Sequence, residues 1–552
     1  MSSEKLWTPN QRNGDGGFTR RRLLEFGAAG ALVMGAGSLL SACSGGAPDP
    51  GTPLKPLESL GGGKPVRGGT LRLGMITGGA SETLNPAVAA TYTDLLRSYQ
   101  LYDHLFRVGA DIQSLEPELA LSAEPNKDAT SWTIRLRDGV NWHDGKPFTA
   151  DDVLWTIQSW SSSASYANGI VRQFIDFKAV RKDGPLAVVV PLVRPAAEFA
   201  SLLTYVNCSV IQNGAAPDSF NTQPVGTGPF KFESFNPGSQ SVFTRNPEYW
   251  GDAEKPYIDK LVIDSSFNDE NSRNYALLGG QIDVAPLYAS EFAKRQLSSK
   301  EVNVLGAAGT QANYFTMRVS EGPFADVRVR QAMKLLVDRQ ALVDGVFNGL
   351  GRVGNDIYVT DVAYILEDVT AAHDIDKAKS LLKAAGAASA TLTLQTVAGV
   401  PRYLNAATLL AEQAKKAGLN VKVEPIPYST YFTAAAGWPA PRSFGQDAAN
   451  TVPSLTAFAA GQLLVGCQAD ETGWNALPDS QTKLDQAISE PDPSRASELW
   501  GDVQRQQVAE GGHLVWGFSD WLDAASKKVG GLRSGKAGPL NDYRVLDAWL
   551  TQ

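Results

Sequence analysis

Short runs of alternating apolar and polar residues are separated by stretches in which apolar residues recur about every 3.6 positions, so the chain reads as mixed α/β. Leu71-Arg72-Leu73-Gly74-Met75 is a short alternating strand. Trp132-Thr133-Ile134-Arg135-Leu136-Arg137 is a second, with Trp132, Ile134 and Leu136 on one face and Asp138-Gly139 supplying the turn after it. Thr149 followed three residues later by Asp152 is the pattern of a capping box, and the helix it opens carries Val153, Ile157 and Trp160 at helical spacing. Asp326 caps another helix, with Val329, Met333, Leu336 and Val337 expected inward and Arg328 and Arg330 outward. A third amphipathic run holds Leu404, Leu409, Leu410 and Ala414 and stops at Gly418, before strand Val421-Lys422-Val423. From Leu392 to Val423 the order is therefore strand, helix, strand, the grammar of an α/β lobe. No short-period internal repeat is visible.

The first 43 residues follow a different pattern. Thr19-Arg20-Arg21-Arg22-Leu23-Leu24 sets paired arginines, Arg20 and Arg21, directly before an apolar run from Phe26 to Ala42. A basic region, an apolar region and small residues before a cut make a secretory signal, and paired arginines are the Tat address. Leu40-Ser41-Ala42-Cys43 resembles a lipobox, in which the Cys43 thiol receives a diacylglycerol. The expectation is a Tat-type lipoprotein signal peptide over 1–42, with an uncleaved signal anchor or a chance basic stretch as the alternatives. The expected location is the outer face of the cytoplasmic membrane, extracellular or periplasmic, with Cys43 as the only membrane attachment. Residues 43–67 are rich in Gly, Pro and Ser and read as a flexible linker. Beyond them no apolar run approaches the ~18 residues of a membrane span.

The formal charge is −8, and removing residues 1–42 takes five basic and three acidic residues, moving it two units further negative. An acidic body without a Lys/Arg cluster argues against a nucleic-acid partner. The body is too long for one core, so two or more domains are expected. Cys208 and Cys467 are its only cysteines. They read as lone buried thiols, with a disulfide left open.

Enzyme signatures are missing: no Gly-x-Ser-x-Gly elbow, no His-Glu-x-x-His pair and no Walker loop. Gly349-Leu350-Gly351-Arg352-Val353-Gly354 fits Gly-x-Gly-x-x-Gly, yet it follows a helical pattern and precedes an extended one, the wrong context for a dinucleotide. His104, His143, His373 and His513 are scattered, with no i, i+4 pair to bind a metal. Neither a catalytic residue nor a cofactor is expected.

Several blocks carry a resemblance. Pro117-Glu118-Leu119-Ala120, the long run from Trp132 to Val153 containing Trp142-His143-Asp144-Gly145, Pro224-Val225-Gly226-Thr227-Gly228-Pro229-Phe230, Arg245-Asn246-Pro247-Glu248-Tyr249-Trp250, Pro323 to Ala332, and Asp338-Arg339 occur in order. Together they resemble the peptide-type solute-binding proteins of ABC importers, the dipeptide, oligopeptide and nickel group known as family 5. The resemblance spans Gly68 to the C-terminus. It implies an α/β fold of two lobes, a type II periplasmic-binding-protein clamp with an extra subdomain in lobe I. Lobe I would comprise 68–309 plus 511–552, with 102–221 as its extra subdomain, and lobe II 310–510. The implied function is capture of a peptide between the lobes and delivery to an ABC permease and its ATPase subunits, by a monomer. The alternative keeps the fold and changes the ligand to an oligosaccharide, a metal chelate or another metabolite. An extracellular enzyme is the distant third reading.

In peptide binders of this group an Asp in lobe II receives the ligand ammonium. The matching stretch here is Phe444-Gly445-Gln446-Asp447-Ala448-Ala449-Asn450-Thr451-Val452-Pro453, in which Asp447 fits while Phe444 replaces the usual Trp and the following Tyr-Pro-Asp-Pro is lost. Asp447 thus reads as the ligand contact or as a plain loop cap. Phe444, Trp438, Trp474 and Tyr428 read as apolar or stacking walls or as ordinary core aromatics. Asn85, before Pro86, reads as a lobe I cleft residue or as an ordinary turn.

Overall fold

Period-two alternation becomes strand where the sequence shows it. Trp132, Ile134 and Leu136 are buried on one face of Ser131–Leu136, and Leu71 and Leu73 are buried in Thr70–Ile76. Thr149 and Asp152 form the reciprocal cap on helix Ala150–Ser159, Asp152 accepting from the Thr149 N–H at 2.8 Å. Val153, Ile157 and Trp160 point into the core. Strands Thr391–Ala398 and Asn420–Pro427 pair in parallel across helix Pro401–Lys416, a complete βαβ unit.

Two side-chain expectations are corrected. Arg330 is buried, because helix Pro493–Glu510 ends over it, and its guanidinium donates to the Glu510 carbonyl at 2.7 Å. On helix Pro401–Lys416 the buried stripe is Tyr403, Ala406, Ala407, Leu410 and Ala414, which leaves Leu404 exposed. Leu404 falls outside this stripe of positions three, four and seven apart and so faces outward.

The structure is a computed structural model that describes residues 55–431, 442–449 and 452–551, apart from Gly62, Ala253 and Gln468. Arg20, Arg21, Cys43 and the rest of the expected leader, together with Trp438, lie outside the described residues. Pro56–Gln552 form one compact unit. Of the linker expected over 43–67, residues 43–54 lie outside the described residues. Leu57 pairs with Val304 and Gly306 through backbone hydrogen bonds, and Leu60 is buried against Leu532 and its neighbours. Among the described residues no helix is long and apolar enough to cross a membrane.

A nine-stranded sheet runs through the molecule. At one side Phe230–Asn236, Gln240–Arg245, Lys260–Phe267, Thr70–Ile76 and Val284–Ala285 lie side by side; at the other is Phe444–Ala449. Two long antiparallel strands, Val302–Met317 and His513–Ser526, join the sides. Their register breaks between Ala307 and Gln311. Residues 302–307 pair with 521–526 beside the first set of strands, whereas 311–316 pair with 513–519 beside Phe444–Ala449. One core lies under the first set, around Leu71, Leu96, Phe230 and Ile263. A second lies under the βαβ unit, around Phe315, Met333, Leu394 and Leu410. These are two lobes threaded by a pair of crossing strands.

The segment after the first helix builds its own four-stranded sheet from Ala120–Pro125, Ser131–Leu136, Ala187–Pro191 and Arg181–Lys182. Its core does not stop at its own boundary. Trp132, Trp160 and Phe199 share a cluster with Phe458, Trp474 and Trp500. The Ser201 and Ser454 hydroxyls meet at 2.7 Å, and Thr456 donates to the buried Glu198 carboxyl at 2.8 Å. Cys208 and Cys467 are buried and unpaired.

Candidate functional site

Strand Phe444–Ala449 sits at the edge of the sheet against the crossing strand Val302–Met317, with Asp447 directly opposite Tyr314. The Asp447 carboxyl accepts from its neighbour's N–H, Ala448, at 2.7 Å and from the Tyr403 hydroxyl at 3.1 Å. Burial pushes this carboxyl above the usual range, against the lowering effect of those donors and of the nearby Arg402. Arg402 lies over the Tyr403 ring at 5.0 Å, and its guanidinium is 3.5 Å from Gln311 Oε1. Gln311, at the register break of the crossing strands, donates to the Tyr92 hydroxyl at 3.0 Å and accepts from Ser519 at 2.9 Å. Residues of both lobes therefore meet within one hydrogen-bond chain of Asp447.

Aromatic rings surround the acid. The Tyr314 and Tyr358 hydroxyls are 3.1 Å apart, and Tyr358 stacks on Phe458 at 4.4 Å. His513 stands edge-on to Tyr314 and Tyr358 at 5.4 and 5.1 Å, and burial lowers its pKa to about 3, so it is neutral at physiological pH. The Tyr431 hydroxyl donates to the Gln446 carbonyl at 2.7 Å and accepts from the Gln446 N–H at 3.0 Å. Arg442 covers the Tyr431 ring at 3.7 Å. A second carboxyl, Glu471, is buried beside Tyr314 and Asp447. Acids set among tyrosines, with two guanidiniums behind, can hold an organic cation by hydrogen bonds and ring faces together.

The residues expected from sequence are not all at this site. Phe444 is 2% exposed and packs on Phe324 at 5.1 Å and Phe315 at 6.5 Å. An odd separation from Asp447 along one strand puts it on the opposite face, in the lobe II core. Trp474 is buried in the shared cluster, three residues after Glu471. Tyr428 begins the short helix Tyr428–Tyr431. Asn85 caps the turn Pro86–Val88, its side chain accepting from the Ala87 N–H at 3.0 Å. Tyr314, Tyr358, Arg402, Tyr403 and Glu471 are additions that the sequence did not single out. His104, His143, His373 and His513 stay apart, and no cluster able to hold a metal occurs among the described residues.

Comparison with known proteins agrees with this architecture. The chain is 28% identical over 335 residues to the dipeptide-binding protein of Escherichia coli, a match covering 56% of this chain and 62% of that one. Its fold matches the periplasmic binding protein DppA of Helicobacter pylori, solved with the peptide STSA, at a TM-score of 0.75 and 20% identity over 88% of this chain and 99% of that one. It also matches the binding protein AgaA of A. tumefaciens, solved with agropinic acid, at a TM-score of 0.76 and 21% identity, with 88% and 99% covered. The structural matches are to two-lobe periplasmic binding proteins, the fold found here. The family model of bacterial extracellular solute-binding proteins, family 5, matches residues 114–458, and the chain belongs to that family of binding proteins for transport.

Proposed function

We propose that this protein captures a peptide between its two lobes and hands it to an ABC permease. The observation that carries the reading is Asp447, a carboxyl at a sheet edge ringed by Tyr314, Tyr358 and Tyr403 and linked through Gln311 to Tyr92 of the first lobe. A carboxylate there pairs favourably with a peptide ammonium, since a buried charge is stable only beside a partner. Family membership supports delivery to a permease.

The lobes are taken as 68–309 with 511–552, and 310–510, with 102–221 as the extra subdomain. The hinge is placed at the register break, where Gly309 donates to Asp520 at 2.7 Å and accepts from Arg352 at 2.8 Å. A Cβ on Gly309 would overlap the Ser519 carbonyl, so the strands can pass this close only at glycine. Ligand would favour the closed arrangement by its differential affinity for it. Export by the Tat route and anchoring by a diacylglycerol on Cys43 complete the reading, supported by Arg20-Arg21-Arg22 and Leu40-Ser41-Ala42-Cys43.

The test is native mass spectrometry of the leaderless protein, Ser44 to Gln552, followed by denaturation to release what it carries. Released masses that fragment as peptides, and that disappear with Asp447→Ala, support the proposal. A single non-peptide mass moves the ligand class, the reading favoured by the fold match to a protein solved with agropinic acid.

A further inference from the structure

Glu471 is a buried acid beside Asp447. It is 6% exposed, on the loop before Trp474, and its Oε2 has no hydrogen-bond partner among the described residues. Its carboxyl lies within side-chain hydrogen-bonding reach of Asp447 and of Tyr314. Two buried carboxyls this close do not both ionise, because each raises the proton affinity of the other. Burial and then Asp447 push Glu471 well above the ordinary range, while Arg442 acts weakly the other way.

The groups that face the pair come from every neighbouring segment. Tyr314 stands on the crossing strand, Tyr403 and Arg402 on helix Pro401–Lys416, and Tyr358, Tyr431, Arg442 and Cys467 on the remaining sides. Burial holds the Tyr314, Tyr358 and Tyr431 phenols and the Cys467 thiol in their neutral forms. Each guanidinium already has partners: Arg402 has the Tyr403 ring and Gln311, and Arg442 has the Tyr431 ring and carbonyl. Three more buried polar atoms close by in sequence or space, Thr472 Oγ1, Trp474 Nε1 and His513 Nε2, also lack partners among the described residues. Glu471 Oε2 is thus an acceptor that no described residue fills in this arrangement, in a neighbourhood with several polar atoms still unpaired.

We propose that Glu471 is a second ligand-facing acid, joined with Asp447 into a two-carboxyl receptor that takes a cationic group of the ligand in exchange for a proton held between them. The proposal rests on the peptide reading and deepens it, since a peptide ammonium has three N–H donors and can satisfy both acids and a tyrosyl oxygen. The step balances: the pair loses one proton to solvent and gains one ammonium or guanidinium. Affinity for a cationic ligand then falls about tenfold for each pH unit below the pair's proton affinity, because a ligand that binds only the deprotonated pair competes with the proton.

The test uses the leaderless protein stripped of ligand and checked for native circular dichroism. It is equilibrated at pH 5 and pH 7 with an equimolar pool of synthetic tripeptides, with free or acetylated amino termini, and retained peptide is counted by native mass spectrometry. Wild type is expected to keep the free-amine pool, at least tenfold better at pH 7, and to ignore the acetylated one. Glu471→Gln keeps peptide with a weaker pH dependence, leaving only the part that the buried Asp447 sets alone, and Asp447→Asn keeps none. An unchanged pH dependence in Glu471→Gln overturns the proposal. If wild type retains neither pool the peptide reading fails, and the pair is read without ligand. A protonated-carboxyl infrared band at pH 7, present in wild type and lost in Glu471→Gln, supports the pair; a band indifferent to the substitution overturns it.

Discussion

Replacing Asp356 by Asn tests whether a buried ion pair holds the aromatic wall of the site in place. Arg339 and Asp356 are 4% and 5% exposed at their side chains, and one guanidinium nitrogen donates to both carboxylate oxygens at 2.8 Å. Arg339 donates further to the Lys334 carbonyl at 3.0 Å, while the Asp356 N–H reaches the Val515 carbonyl on the crossing strand at 3.4 Å. The pair therefore ties the segment that carries Tyr358 to the sheet. Asn keeps the shape and tolerates the positive φ of 67° at this position, so the change removes charge and one acceptor while the backbone stays permitted. Breaking a buried pair from one side costs about 3–5 kcal/mol, because the remaining charge is left uncompensated. The low end applies here, since Asn still accepts one bond. At a urea slope of ~3 kcal/mol/M the midpoint of unfolding falls by about 1 M. Arg339→Met together with Asp356→Asn should recover part of that loss, as both charges are then gone. A single variant within 0.3 M of wild type, or a double variant worse than the single by the full cost of a second independent site, refutes the reasoning.

Two further outcomes follow from the same packing. His143 Nδ1 accepts from the Gly226 N–H at 3.2 Å and its Nε2 is 2.9 Å from the Gly228 carbonyl, while burial lowers its pKa from 6.5 to about 4. The folded state binds fewer protons there than the unfolded one, so the stabilisation is complete above pH 6.5 and is lost as the pH falls towards 4. His143→Gln should flatten the melting temperature across that window, and an unchanged slope would remove His143 from the account. Gly226→Ala places a methyl on the Leu101 carbonyl, with Leu101 C only 2.7 Å away, and should cost about 1–3 kcal/mol in thermal unfolding. Gly461→Ala, whose nearest neighbour would be the Ile170 side chain at 3.5 Å, should be neutral or stabilising; equal losses in both would contradict the packing argument.

Much of the fold was legible because the blocks that carry the family resemblance hold one another. His143 of one block bonds Gly226 and Gly228 of the next, and the Asn246 side chain of a third donates to the Gly228 carbonyl at 3.1 Å. Trp250 donates to the buried Asp103 at 2.8 Å, and Asp338 caps the helix whose first residue, Arg339, reaches Asp356. Blocks tied to one another by such contacts carry information together that a single motif does not. Gly351-Arg352-Val353 shows the contrast: within the glycine pattern they form a strand on the crossing strand His513–Ser526. Arg330 was misplaced because helical periodicity sees one helix and cannot see the end of Pro493–Glu510 lying across it.

The site was less legible, for a physical reason. Tyr314, Tyr358, Arg402 with Tyr403, Asp447 and Glu471 come from five separate segments, and no local spacing rule connects positions that only a cross-strand register and two lobes bring together. Asp447 was reachable only through the resemblance. Phe444 was reachable by period two, had the strand been extended through it, since three residues along a strand reverse the face. Glu471 left a single trace, an acid three residues before a tryptophan already suspected. Its partner atom is missing from the described chain, and an acceptor buried without a donor costs about 1–3 kcal/mol unless something arrives to satisfy it. Under the proposal made above that donor is the ligand's ammonium, and Glu471 is then a position that no local spacing rule reaches because its partner is not part of the chain.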